Sequence, residues 1–458
     1  MLSITNSLPL LRQRFESGIT RTESWRREKL NSLRSALLAQ EEAIYGALHR
    51  DLHKNREEAY VTELGLVLQE IGYALKHLGQ WMRPEKVRTN LLNLPSSSRI
   101  LKEPMGTVLI IGPWNYPLML LLGPLTGALA AGNTVVLKPS EHAPATAMVM
   151  RNIVQAAFAP DEVLYAEGDG AELVPAMMQA FRFDHIFFTG GKKVATQLYA
   201  AAAKDLVPVT LELGGKSPCI VSADADLPVA ARRICSTKFS NAGQMCIAPD
   251  YLLVQETVYE ATVQALKACI NRFYSDDPLD CAGYGRIIND AQFSRLEKYL
   301  QEGEVLHGGQ VNREQKFIAP TLLGNVLPGA AVMQEEIFGP ILPILRYRDE
   351  TDALEMIRRN PDPLAFYLFT KDPRKEAYWL QQLPFGGGCI NNASWHFTNH
   401  RLPFGGRGAS GIGMAHGRYS FDTFTHRKSV LKTPLWFDPA LKYPPFQGKL
   451  SLIKKLIG

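Results

Sequence analysis

From about residue 105 onward, short apolar runs alternate with stretches of helical spacing. "TVLIIG", "TVVLKPS", "EVLYAEG", "HIFFTG" and "PVTLELGG" are each separated by a stretch whose apolar positions recur every three to four residues. Short runs rich in Val, Ile and Phe and bounded by Gly or Pro predict buried strands. Their alternation with helices predicts a mostly parallel sheet covered on both faces. After Gly215 the pattern restarts with "SPCIVS", "YLLVQ", "FIAPTLL", "ILPILRY" and "LAFYLFT", which predicts a second α/β domain. Residues 1–83 are helical in pattern, as in "REKLNSLRSALLAQEEAIYGALHRDL", whereas 84–104 is polar, punctuated by proline, and predicted to leave the main body.

One stretch resembles a membrane span. No charge occurs from Pro104 to Leu137. Gly112-Pro113, Pro117, Gly123-Pro124 and Gly132-Asn133 interrupt it, so a strand, a loop "GPWNYP", a helix and a second strand describe it better. The expected membrane span is therefore none.

Composition narrows the class. At 458 residues the chain can form two or three domains, and 46% hydrophobic with 21% charged residues is the balance of a soluble globular protein. A net charge of +5, spread along the chain without a basic aromatic-rich block, argues against nucleic acid. Six cysteines without CxxC or zinc-ligand spacing predict no metal site and a reducing, cytoplasmic setting. The N-terminus has neither the apolar core nor the cleavage site of a signal peptide.

Three motif matches fail on context. "GRGASG" (406–411) fits GxGxxG but follows "NHRLP" rather than a strand. "LGGKS" lacks the first glycine of a P-loop, that position being Thr210. Neither GxSxG nor HExxH occurs.

Other residues fit one reaction. A cysteine that oxidises a carbonyl carbon needs donors for the oxyanion, a hydride acceptor, and a base for the water that releases the product. Cys246 in "NAGQMCIAPDY" is the candidate thiol; the alternative is one more buried cysteine. Asn115 in "GPWNYP" could donate to an oxyanion or serve only as a turn residue. Glu212 in "TLELGGK" ends an apolar strand before two glycines, and could equally face solvent. Lys138 and Glu141 in "LKPSE" could meet ribose hydroxyls or be a solvated strand end. "FFTGG" leads from a strand into a helix whose N-terminus suits a pyrophosphate.

"GPWNYP", "LKPSE", "FFTGG", "LELGGKSP", "NAGQMCIAPDY", "EEIFGP" and "LPFGGRGASGIG" resemble, in order and spacing, the motifs of aldehyde dehydrogenases, from about residue 20 to 440. The pattern "NAGQMCIAPDY", "YSFDTFTHRKSVL" and "YPP" is similar to the class 3 branch, which handles medium- to long-chain aliphatic and aromatic aldehydes. The resemblance implies an α/β fold with two Rossmann-like parallel-sheet domains and a small β oligomerisation element. It places an NAD(P)-binding domain at 1–83 and 105–211, a catalytic domain at 212–400, a bridging element at 84–104 and 415–440, and a tail at 441–458.

The same resemblance implies roles. Cys246 matches the nucleophile, Glu212 the general base and Asn115 the oxyanion donor, with the Cys246 N–H. Lys138 and Glu141 match the holders of the adenine ribose, Gly190 and Gly191 the turn at the pyrophosphate, and Glu336 the ligand of the nicotinamide ribose. Phe338 and Trp114 fall beside the cofactor. Tyr116, Met119, Trp395 and His396 are expected along the substrate tunnel. Two departures bear on the cofactor. Ala195 stands where many relatives have glycine, and a methyl there is expected to alter how the cofactor sits. Lys192 and Lys193 directly after the turn would suit a 2′-phosphate, whereas Glu141 repels one; NAD is expected, with tolerance for NADP.

The expected reaction is oxidation of an aldehyde through a thioester that water releases. A reductase or acylating relative would have no use for Glu212, and a cysteine hydrolase lacks a histidine in a partner motif. The tail "GKLSLIKKLIG" is expected to place Leu452, Ile453, Leu456 and Ile457 opposite Lys454 and Lys455, packed on protein or weakly on an anionic membrane. The segment 84–104 and the strand-like "SFDTFTHRKSVLKT" imply a homodimer.

Overall fold

The computed structural model describes residues 2–457, with the side-chain surroundings of residues 4–455. Thr107–Ile111 lies at the centre of a six-stranded sheet and pairs in parallel with Thr134–Lys138 on one side and His185–Thr189 on the other. Val163–Tyr165 and Val209–Glu212 extend the two flanks, and Gly411–Ile412 closes the second flank antiparallel.

Alternation along these strands splits the packing. Val108, Ile110, Val135, Leu137 and Phe187 meet the helices of residues 23–82 and the uncharged, buried helix Met119–Ala131. Leu109, Val136, Ile186, Phe188 and Leu211 meet Leu8 and Leu11 and the two later helices on the opposite face. Burial on both faces is why these strands read as continuous apolar runs. The chain moves outward from Thr107–Ile111 to Val163–Tyr165, then returns to start the other flank at His185–Thr189. The order therefore reverses between Thr107–Ile111 and His185–Thr189, where sheets of this kind bind ligands.

A second sheet runs Glu304–His307, Thr321–Gly324, Ile341–Tyr347, Tyr251–Gln255, Pro218–Val221, Ala365–Phe369, Gly387–Ile390, parallel except for the first strand. A third, antiparallel sheet joins Glu85–Val87, Ser97–Pro104 and Thr425–Lys432.

The structure departs from the sequence pattern in several places. "FIAPTLL" is two strands in two sheets: Phe317–Ile318 pairs antiparallel with Val311–Asn312, and Thr321–Gly324 joins the second large sheet. Gly387–Ile390 is a strand although "GGGCI" lacks a strand-like composition. The strand read from Ser420 starts at Thr425, after a helix over Arg418–Thr423. Between the helices Arg56–Ala59 and Gly65–Met82, residues Tyr60–Leu64 form a π turn, a widening that sequence periodicity does not announce. Among the described residues no helix is long and apolar enough to cross a membrane.

Candidate active site

Cys246 follows an irregular turn that takes the chain from the helix Leu227–Phe239 toward the strand Tyr251–Gln255. Asn241 (φ 49°), Ala242 (φ 51°) and Gly243 (φ 72°) are consecutively left-handed. For the two non-glycines this conformation costs of order 1–3 kcal/mol each, and surrounding contacts must hold it. Gln244 does part of that: its Nε2 donates to the Asn241 and Arg286 carbonyls at 3.0 and 2.9 Å, and its Oε1 accepts the Ile288 N–H at 3.0 Å. Gly243 is required twice over, since a Cβ there would stand 2.2 Å from the Gly339 carbonyl oxygen.

Asn115 lies in the loop after the central strand and is buried. Its Nδ2 donates to the Gln244 carbonyl at 3.1 Å, which ties the amide to the thiol turn. Its own carbonyl accepts from Asn241 Nδ2 at 2.8 Å and from Lys54 Nζ at 3.1 Å. Lys54 is wholly buried, pairs with Glu63 Oε1 at 2.7 Å and lies 4.0 Å from the centre of the Tyr116 ring. The other oxygen of Glu63 accepts the Leu118 and Met119 N–H groups, each at 3.0 Å.

Glu212 ends its strand opposite Gly411, buried, with no hydrogen-bond partner for either oxygen. Burial holds its carboxyl well above the usual carboxylate range. Glu336 rests its carboxyl on Gly214, where a Cβ would be 1.9 Å from Oε2. Burial and then the nearby Asp250 push it up to about 8, against the Gly215 N–H and the cations of Lys216 and Arg295. Arg295 holds the backbone there by donating to the Glu336 and Ile337 carbonyls at 3.2 and 2.7 Å, and Asp250 accepts the Ile337 N–H at 2.9 Å. Asp250 is itself paired with the buried Lys216. The Cys246 thiol is pushed up to about 12, first by burial and then by the carboxyls of Glu336 and Glu212, while the N–H groups of Cys246 and Ile247 work the other way.

A single cavity of about 1270 Å³ takes in Asn115, Glu212 and Cys246. Trp114, Gly190, Gly191, Glu336 and Phe338 also line it, with Trp114 edge-on to Phe338 at 5.2 Å. Tyr116, Met119 and Trp395 line it as well. His396 does not: its ring is turned to Cys389 Sγ at 3.5 Å and stacks on Phe404. The sequence gives no means of telling which way a residue of "SWHF" turns. Leu120 and Phe397, which no motif had marked, and Phe404 of "LPFGGRGASGIG" complete an apolar wall.

The cleft suits a dinucleotide. Gly191 opens the helix Lys192–Ala203 without a side-chain cap and lines the cavity, and nothing stands within 4 Å of where its Cβ would be, which leaves room for a phosphate near the helix's first N–H groups. Thr189 Oγ1 is buried and without a partner beside them. Lys138 and Glu141 stand outside the cavity wall, at the end of the adjoining strand; Lys138 Nζ donates to Glu141 Oε2 at 2.9 Å, and the Gly170 N–H approaches Oε1 at 3.4 Å. Ala195 is buried among Leu198 and the sheet residues, so its methyl serves the core rather than the cofactor. Lys192 and Lys193 are exposed. No group of three His, Cys, Asp or Glu that could hold a metal occurs among the described residues.

The sequence reading missed Lys54, Glu63, Asn241, Gln244 and Arg295. Asn241 and Gln244 lay inside the quoted thiol motif, where their amides were the available signal; the others carried none.

A doubly wound sheet whose switch point opens onto a thiol, an amide and a dinucleotide cleft places the protein among nicotinamide-dependent dehydrogenases acting on carbonyl carbon. The aldehyde dehydrogenase family model matches residues 13–430. The chain is 44% identical over 442 residues to 4,4'-diaponeurosporen-aldehyde dehydrogenase of Staphylococcus aureus, covering 96% of each. It is 42% identical to aldehyde dehydrogenase family 3 member H1 of Arabidopsis thaliana, covering 99% of this chain and 94% of that one. Among solved structures, the substrate-bound state of Staphylococcus aureus AldH superposes with a TM-score of 0.97 at 43% identity, covering 99% of both chains. The NAD+ complex of an aldehyde dehydrogenase from Bacillus cereus superposes at 0.83 and 26% identity, over 93% of this chain and 88% of that one. The chain belongs to the aldehyde dehydrogenase family, and it is an NAD(P)-dependent enzyme that oxidises aldehydes to carboxylic acids.

Proposed function

We propose that Cys246 is the nucleophile, Asn115 the oxyanion donor and Glu212 the base, acting on a medium- to long-chain aliphatic or aromatic aldehyde. Cys246 gives its proton to solvent, and its thiolate adds to the carbonyl carbon as the carbonyl π pair moves to oxygen. One N–H of Asn115 is engaged by Gln244, which leaves the second for that oxyanion together with the Cys246 N–H. Bound NAD(P) supplies the hydride acceptor. Loss of hydride leaves a thioester on Cys246. Glu212, with both oxygens unpartnered, takes a proton from the water that attacks this thioester, which releases the acid and restores the thiol.

Glu336, Gly190 and Gly191 would hold the nicotinamide ribose and pyrophosphate, and Lys138 with Glu141 the adenine ribose. Glu141 favours NAD, with NADP tolerated. The observation that carries the reading is Asn115 and Cys246 joined through the Gln244 carbonyl in a cavity that Glu212 shares. NADH formation at about 340 nm with an aldehyde panel tests it: Cys246→Ala should not turn over, and Glu212→Gln should make one turnover and stall. Steady turnover in either variant overturns the assignment.

The substrate class is supported by the apolar wall of Met119, Leu120, Trp395, Phe397 and Phe404 and by the relative that acts on 4,4'-diaponeurosporen-aldehyde. An acylating relative using the same thiol is disfavoured, because Glu212 would be idle. A homodimer is supported by Thr425–Lys432, a largely exposed edge strand of the small sheet; a monomeric mass in light scattering at about micromolar concentration would count against it. Six free thiols support a cytoplasmic setting. The tail forms the helix Leu450–Ile457 close to Leu91–Asn93, with Leu452, Lys454 and Lys455 exposed; the side chains of Leu456 and Ile457 lie outside the described residues. Packing on protein is the favoured role of this tail over weak contact with an anionic membrane, and equal co-sedimentation of intact and tail-deleted protein with liposomes is the expected result.

A further inference from the structure

The left-handed turn ahead of Cys246 needs an anchor, and Gln244 supplies one from within the turn's own segment by holding the Asn241 carbonyl. The N–H side of its near end is held by a residue from a different part of the chain. Glu58 Oε1 accepts the Ser240 hydroxyl and the Asn241 N–H, both at 2.7 Å. Glu58 sits on the short helix Arg56–Ala59, and its own N–H is capped by Asn55 Oδ1 at 2.7 Å. The Asn241 that Glu58 fixes in turn spends its side-chain amide on the Asn115 carbonyl at 2.8 Å and the Gln244 carbonyl at 3.3 Å. One carboxylate oxygen therefore sets the residue that spaces the thiol turn from the amide loop.

We infer that Glu58 is a positioning residue for acylation, acting through Asn241 to fix Cys246 relative to Asn115. This rests on the reading of Cys246 as nucleophile and Asn115 as oxyanion donor. No motif in the sequence marks Glu58, and it does not line the cavity. Its effect is one of register. Without it the Ser240 and Asn241 donors lose their acceptor, and the two left-handed residues can relax toward ordinary backbone. A shift on the order of 1 Å between reacting groups costs about a hundredfold in rate.

The test is a double-mutant cycle between Glu58→Ala and Asn115→Ala in the full-length protein, read by the rate constant of the first-turnover NADH burst. Thermal midpoint and KM for NAD are measured alongside. Glu58→Ala should slow the burst about a hundredfold with KM for NAD unchanged, because the cofactor residues are not among its contacts. In the Asn115→Ala background the same change should cost less than about threefold, because register matters little once the donor is gone. Glu58→Gln keeps an acceptor oxygen in place and should restore the burst. Glu58→Asp keeps the charge but falls short by one methylene and should not; it replaces Glu58→Ala if that variant does not fold. A wild-type burst in Glu58→Ala, equal losses in both backgrounds, or a Gln variant as slow as Ala overturns the inference. Turnover by Cys246→Ala would instead overturn the reading beneath it.

Discussion

The Asn115 side chain donates to the carbonyl of Gln244 at 3.1 Å, two residues ahead of Cys246, so the amide and the thiol are fixed to the same turn. Asn115→Ala should lower kcat by about 10²–10³-fold, the usual effect of removing one preorganised oxyanion donor, with KM for NAD little changed. Steady-state kinetics with saturating NAD checks this.

Activity should climb with pH. Burial raises both Glu212 and Cys246, and each acts in its deprotonated form. Cys246, pushed up to about 12, is mostly protonated at neutral pH, and burial moves the proton loss of Glu212 toward higher pH, so raising pH increases the active fraction of each. Steady-state kcat should increase between about pH 6 and pH 9, and in Glu212→Gln only the burst phase should keep a pH dependence. A flat wild-type profile over that range would contradict the assignment.

Glu336 links pH to stability in the opposite sense. Its folded-state value is about 8 against an ordinary 4.5, so the folded protein holds this proton more tightly than the unfolded chain. The contribution is fully present below pH 4.5 and is lost as pH rises through about 8. Relative to Glu336→Gln, the thermal midpoint of the wild type should therefore fall across that window and stay level below it.

Lys54 and Glu63 are both wholly buried and paired at 2.7 Å. Lys54→Met leaves a buried carboxylate without its cation, which typically costs about 3–5 kcal/mol. Urea denaturation should show a loss of that size, and Lys54→Met with Glu63→Met together should recover much of it.

Gly214→Ala should act through Glu336. The added methyl would occupy the place of the Glu336 carboxyl, 1.9 Å from Oε2. With Glu336 holding the nicotinamide ribose as proposed, displacing its carboxyl should raise KM for NAD about tenfold or more, and because that carboxyl helps raise the Cys246 thiol, alkylation of Cys246 in the free enzyme should become faster.

The strands around Thr107–Ile111 were legible because burial on both faces leaves an unbroken apolar run, and Cys246, Glu212 and Asn115 because each stands in an ordered motif. What stayed hidden depends on contacts between distant segments. Lys54 and Glu63 look like ordinary charges on a helical face, "HKNREEAYVTE", until the "GPWNYP" loop is folded onto them. The antiparallel strand Gly411–Ile412 is two residues in a glycine-rich loop, defined only by the partner it meets. His396 and Ala195 were assigned by position, and it was the orientation of a ring and a methyl that moved them into the protein interior.

The pairing of Gly411 with Glu212 sets an order of events during synthesis. Until residue 412 has left the ribosome, Val209–Glu212 is an open sheet edge. The Leu213 N–H likewise lacks the Ser410 carbonyl that accepts it at 3.2 Å. A nascent chain can therefore build most of its first sheet early, but the base strand is sealed only after the second sheet has been translated.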